Sequence, residues 1–204
     1  MTSIEFVTIE STDTAATERL CADAFDLGAQ VRTRASDAPT SGFRGFTLSL
    51  VVGQPADVDA LMAAATDADA TTLKPAKRSL WGYGGAVQGP DGAIWTVASS
   101  KRKNTGPATK HIDEIVLQLG VADVSASKQF YVDRGFAVEK SYGSRYVLLG
   151  DPSSPVKLAL YRRRSLAKLA GVSSDGSGSH RLAIGSDAGP FTDPDGFAWE
   201  TASR

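Results

Sequence analysis

Alternating and helical patterns of apolar residues divide the chain into short elements that recur in a fixed order. Ile4-Glu5-Phe6-Val7-Thr8-Ile9-Glu10 alternates with β-branched residues and predicts a strand. Asp13 then caps a predicted helix in which Ala16, Leu20, Ala24 and Leu27 fall near helical spacing, Cys21 and Phe25 widen the stripe, and Gly28 supplies the stop. Gln30 to Arg34 reads as a second strand, followed by a polar loop with Pro39 and Ser41-Gly42. Phe46 to Val52 predicts the next strand, and after Gly53 and Pro55 a helix begins whose Val58, Leu61, Met62 and Ala65 form a core face. Three strands follow: a short one around Thr71 to Leu73, a glycine-rich one from Trp81 to Val87, and one launched by the turn at Pro90.

The same order returns further along. In Ile112 to Val121, Ile115, Leu117, Leu119 and Val121 take one face, while Glu114, Val116 and Gln118 take the other. Asp123 caps a helix that stops at Gly135, and Val138 to Tyr142, Arg145 to Leu149 and Val156 to Tyr161 predict three strands. A short helix from Ser165 to Ala170 and a Gly/Ser-rich loop from Ser173 to Ser179 lead to a strand over His180 to Ile184. No helix follows that strand. Phe191-Thr192-Asp193 instead runs into Pro194-Asp195-Gly196-Phe197-Ala198-Trp199-Glu200, which repeats Pro90-Asp91-Gly92-Ala93-Ile94-Trp95-Thr96. The chain is therefore read as an internal duplication with trimmed units, α+β in class. Residues 1–100 and 111–204 are the expected domains, and 101–110, without apolar periodicity, the linker.

Composition narrows the function classes. At 204 residues, 42% hydrophobic and 22% charged, the chain is long and apolar enough to bury a core. A net charge of −1 argues against nucleic acid, which selects basic surfaces. The single Cys21 excludes an internal disulfide and a thiolate metal cluster. Neither a membrane span nor a leader is visible, so the expectation is a cytoplasmic protein, monomer or homodimer.

Repeated strand-helix-three-strand units, Asp193-Pro194-Asp195-Gly196 before Trp199-Glu200, the partner phrase at Pro90, Trp81-Gly82 upstream of it and the Asp-capped helices together resemble the vicinal oxygen chelate superfamily. That superfamily comprises glyoxalases, bleomycin resistance proteins and extradiol dioxygenases. The resemblance implies tandem βαβββ units forming half-barrels around a small-molecule site. It also implies that metal ligands, in members that use them, come from the opening and closing strands of a unit. Here Glu200 takes the closing-strand position, where the first copy has Thr96, and His180 opens the strand of the same unit. Val116, Leu158 and Leu160 stand where further ligands are expected, and Glu114 is the nearest third candidate.

Two donors fall short of the three that a catalytic divalent ion usually takes from protein. The leading expectation is thus a glyoxalase-like small-molecule-binding protein without an obligatory metal or other cofactor, sequestering an antibiotic or metabolite. In it His180 and Glu200 hydrogen-bond each other, and Trp81, Tyr83, Glu114 and Gln118 complete the pocket. The alternative is a divalent-metal lyase, isomerase or dioxygenase using His180 and Glu200 as catalytic and metal-binding residues, with Glu114 or a residue of a partner chain. Whether the protein catalyses a reaction stays open between the two. Trp95 and Trp199 are assigned to the core because alternation sets them opposite Thr96 and Glu200.

Overall fold

The computed structural model of the chain describes residues 2–80 and 82–202. β1 (Ile4–Ser11) leads into α1 (Thr14–Arg19), which widens into a π-helical turn at Leu20–Ala24. β2 (Val31–Ala35), β3 (Thr40–Gly42) and β4 (Phe46–Val52) precede α2 (Pro55–Asp67), and β5 (Thr71–Ser79), β6 (Gly82–Gln88) and β7 (Ile94–Ser99) close the first half. β8 (Ile112–Val121), α3 (Val124–Val132), β9 (Val138–Ser141), β10 (Tyr146–Leu149) and β11 (Lys157–Arg162) repeat the unit. α4 (Arg163–Ala170), β12 (Gly176–Gly178), β13 (Leu182–Ser186), β14 (Phe191–Thr192) and β15 (Ala198–Thr201) complete the described chain.

Strand pairing joins the halves in both of the larger sheets. The eight-stranded sheet runs β5-β6-β7-β4-β8-β11-β10-β9, with β4 antiparallel to β8 at its middle. In the five-stranded sheet, β14-β15-β13-β1-β2, β13 from the end of the chain is antiparallel to β1 from its beginning. The two complete βαβββ units thus share the large sheet, and the two trimmed units share the small one. Both sheets have free edges. The architecture is α+β, as the periodicities predict.

Helices α1–α3 lie between the sheets. Leu20, Phe25, Leu48, Trp95, Leu117 and Tyr131 belong to one continuous buried cluster that both sheets share. Phe25, just after the π turn, meets Trp95 of the large sheet at 5.1 Å between ring centroids, and Tyr131 of α3 meets Trp199 of the small sheet at 5.4 Å. Both tryptophans are core, as alternation requires. Each sheet consequently has one face on the helix layer and one facing outward.

Three local expectations change. The first helix does not run to Gly28; the π turn ends at Phe25, and Asp26 reverses the chain with φ of 52° while Leu27 N–H donates to Cys21 O. The Gly/Ser-rich loop contains β12, which pairs with β3 in a separate two-stranded sheet. Residues 101–110 are tied down: Asn104 Oδ1 accepts from Ala56 N–H in the first turn of α2, and Thr109 N–H donates to Asp57. Gln54, the N-cap of α2, makes no side-chain cap of its own, so Asn104 meets an otherwise orphaned donor. Among the described residues, no helix is long and apolar enough to cross a membrane.

Candidate functional site

On the outward face of the large sheet, β4 presents Thr47 and Ser49, β7 presents Thr96, and β8 presents Glu114, Val116 and Gln118, because their alternates Leu48, Trp95, Ile115 and Leu117 point into the helix layer. Thr47 Oγ1 donates to Gln118 Oε1 at 2.7 Å. One end of this face is covered by α4. Leu166, Ala167 and Ala170 pack against Phe43 and Ile94, and Lys74 Nζ donates to Leu169 O at 2.9 Å. The cover is close: a Cβ on Gly120 would sit 3.0 Å from Arg163 Cα and 3.1 Å from Gly45 O. α4 ends cleanly at Gly171, which takes the left-handed conformation that favours glycine.

The other end is open and charged. Lys157 Nζ donates to Glu114 Oε1 at 2.8 Å and to Glu139 Oε2 at 2.9 Å. Burial pulls the ammonium's pKa down, but the bonds to Glu114 and then Glu139 more than offset it, leaving Lys157 above the ordinary value. Tyr142, Tyr146 and Tyr161 stand in a row beside it, with centroids 5.9 and 4.9 Å apart. Burial raises the Tyr146 hydroxyl, and the charges of Glu139 and Glu114 raise it further. Around the rim from this end, where the segment after α1 meets the start of β8, a groove of about 630 Å³ is bordered by Asp23, Asp26, Lys110, Asp113, Glu114 and Lys157.

Glu200 lies elsewhere, on the outward face of the small sheet. Arg34 Nη1 donates to Glu200 Oε2 at 3.0 Å, while Arg34 Nη2 donates to Glu10 Oε1 at 2.7 Å and Thr8 Oγ1 to Glu200 Oε1 at 3.4 Å. The expected hydrogen bond between His180 and Glu200 is not formed. His180 precedes β13, stacks on Phe197 at 3.9 Å, and directs Nδ1 at Arg44 O and Nε2 at Asp195 O. It fastens loops together. The expectation of one pocket combining Glu200 with Glu114 and Gln118 is overturned as well, because units one and four build one sheet and units two and three the other. The helix layer separates the faces.

Two more candidates move. Tyr83 points to the helix side, where its hydroxyl donates to Asp59 Oδ1 at 2.7 Å, a bond that raises its pKa. Trp81 lies outside the described residues. The sequence missed Lys157, Glu139 and Arg34, each an expected surface cation or acid whose partner sits on a distant strand. Cys21 is a buried thiol, pushed up to about 12 by burial and then by Asp91 and Glu18, and is no nucleophile at neutral pH.

A divalent ion does not fit these residues. Both nitrogens of His180 face carbonyl oxygens, so neither directs a lone pair at an open position. Glu200 is held by a guanidinium; of the positions expected to carry further ligands, Leu158 and Leu160 turn into the buried cluster, leaving Ala159 outward beside Val116 and Thr96, none of them an acid or imidazole. Among the described residues, no three His, Cys, Asp or Glu side chains gather as metal donors.

No protein-family profile and no curated protein matches the sequence. Solved structures do. Glyoxalase I from Zea mays superposes with a TM-score of 0.62 over 98% of this chain and 91% of its own, at 13% identity. The chain has the glyoxalase fold. A candidate dioxygenase from Bacillus subtilis shares that fold at a TM-score of 0.56 and 10% identity, over 90% of this chain and 69% of its own. The glyoxalase fold, which the Pro-Asp-Gly repeat and the unit order pointed to, is thus borne out. At such identities, chemistry has to come from the side chains present.

Proposed function

We propose that the protein binds a small, amine-bearing molecule without a metal, in the groove beside Glu114 on the glyoxalase fold's large sheet, and sequesters it rather than transforming it. The groove carries this proposal. Its volume of about 630 Å³ falls within the usual range for ligand sites of roughly 300–1,000 Å³, and its border sets four carboxylates, Asp23, Asp26, Asp113 and Glu114, against Lys110 and Lys157. An excess of carboxylates favours a ligand that brings positive charge. Binding is favoured over turnover because Glu114 and Glu200, the two candidate bases, each already hold a cationic partner, which favours the ionised carboxylate and weakens it as a base. For the metal-dependent lyase, isomerase or dioxygenase alternative, no three His, Cys, Asp or Glu side chains gather as donors among the described residues.

The test is a thermal-shift panel of small amines and amine-bearing antibiotics, since a ligand that binds only the native state raises its stability. At least one such compound should raise Tm, and calorimetry should show affinity falling about tenfold or more in Asp113→Asn and Glu114→Gln. If no amine raises Tm, or if both variants bind as the parent does, the proposal is wrong.

A further inference from the structure

The small sheet's outward face holds two carboxylates that arrive from opposite ends of the chain, Glu10 on β1 and Glu200 on β15, with the Thr8 hydroxyl beside Glu200. β13 lies between these strands; its Ala183 is small, and the ring of Phe6 lies over its Gly185 with the Arg32 guanidinium stacked on that ring at 3.5 Å, beside Glu200. Arg34 reaches in from β2, where the parallel register pairs it with Glu10. Its guanidinium contacts Glu10 Oε1 through Nε at 3.2 Å and Nη2 at 2.7 Å, and Glu200 Oε2 through Nη1 at 3.0 Å. The hydrogen bonds to Glu10 and then Glu200 raise the Arg34 pKa, so the cation is permanent. Two carboxylates and a hydroxyl are hard oxygen donors of the type that Mn²⁺, Mg²⁺ and Ca²⁺ take. Here one planar side chain answers both carboxylates with separate N–H groups.

We propose that Arg34, rather than the neighbouring Arg32 that stacks on Phe6, is the built-in cation of this carboxylate pair: it occupies the space between Glu10 and Glu200 that an oxygen-coordinated divalent ion would need, and so makes the site independent of metal. The site is separate from the groove at Glu114. Arg34 is not catalytic; it is a positioning residue that fixes two carboxylates and neutralises one charge. Removing the guanidinium leaves a latent divalent-cation site.

The experiment titrates MnCl₂ into the full chain, parent and variants, by calorimetry and by paramagnetic resonance of free Mn²⁺. The parent should bind no Mn²⁺ tighter than millimolar. Arg34→Ala should bind one ion per chain at least tenfold tighter, and adding Glu200→Gln to it should abolish the gain. Arg34→Met, which keeps the aliphatic stem over the strand, should behave as Arg34→Ala. Should either variant be destabilised, Mn²⁺ must raise its Tm while leaving the parent's unchanged. Tight stoichiometric binding by the parent, no gain in both Arg34 variants, or a gain that survives Glu200→Gln would each overturn the proposal.

Discussion

The carboxylate of Asp193 is buried at 5% exposure, where it accepts the Tyr131 hydroxyl and the backbone N–H groups of Asp195 and Phe197. Burial is the larger influence and raises its pKa, against the bonds from Tyr131 and Phe197 that lower it. The native state therefore holds this proton more tightly than the unfolded chain does. The resulting stability is fully present below the ordinary carboxylate value and is lost as pH rises through the raised one. Asp193→Asn, which cannot titrate, should remove that component. The parent's advantage in Tm over Asp193→Asn should be largest near pH 4 and shrink towards pH 8; a constant gap would refute this. Asp195 has a different task, accepting from Ala122 N–H and Ser127 Oγ at the start of α3, whereas its counterpart Asp91 pairs with buried Arg44. The sequence made the repeated phrase visible but not these partners, which lie tens of residues away. Alternation puts Glu200 on the strand face it takes, but its partner Arg34 lies 166 residues away and is invisible for the same reason.

Elements with an apolar period were legible, and those without one were not. β1, β4, β8 and helices α2 and α3 carry clear stripes and form where the periodicity places them. β3 and β12 are three-residue strands of Thr, Ser and Gly, held by pairing between Gly42 and Gly176, and nothing in their side chains announces it. α4 was predicted, but not its position across the large sheet's outward face. That placement depends on Gly120, which lets the helix start against β8. Gly120→Val should push Arg163 and Gly45 apart and cost about 1–3 kcal/mol, as overpacking usually does. A lower urea midpoint, with faster proteolysis within α4, is the expected result; an unchanged midpoint would show that α4 does not depend on this contact.

At the scale of the molecule, the count of units could be read from sequence, but which unit pairs with which could not, because register and sheet order are set by contacts between distant strands. Residues 4–9 pair with 182–186, and 46–52 pair with 112–119. Both sheets therefore need both halves. We expect fragments 1–100 and 111–204 to show native-like circular dichroism and cooperative melting only when mixed; independent melting of either alone would contradict this. The place of β1 between β13 and β2 has a further consequence during synthesis. Its antiparallel partner, β13, is about 180 residues downstream, and translation at about 5–20 residues per second keeps the two apart for about 10–40 s. Over that interval β1 has only β2 to pair with, and the edge that β13 will take stays open. A nascent chain with an open strand edge is a client for chaperones, and the yield of this protein in a cell should follow the time the ribosome takes to reach residue 186.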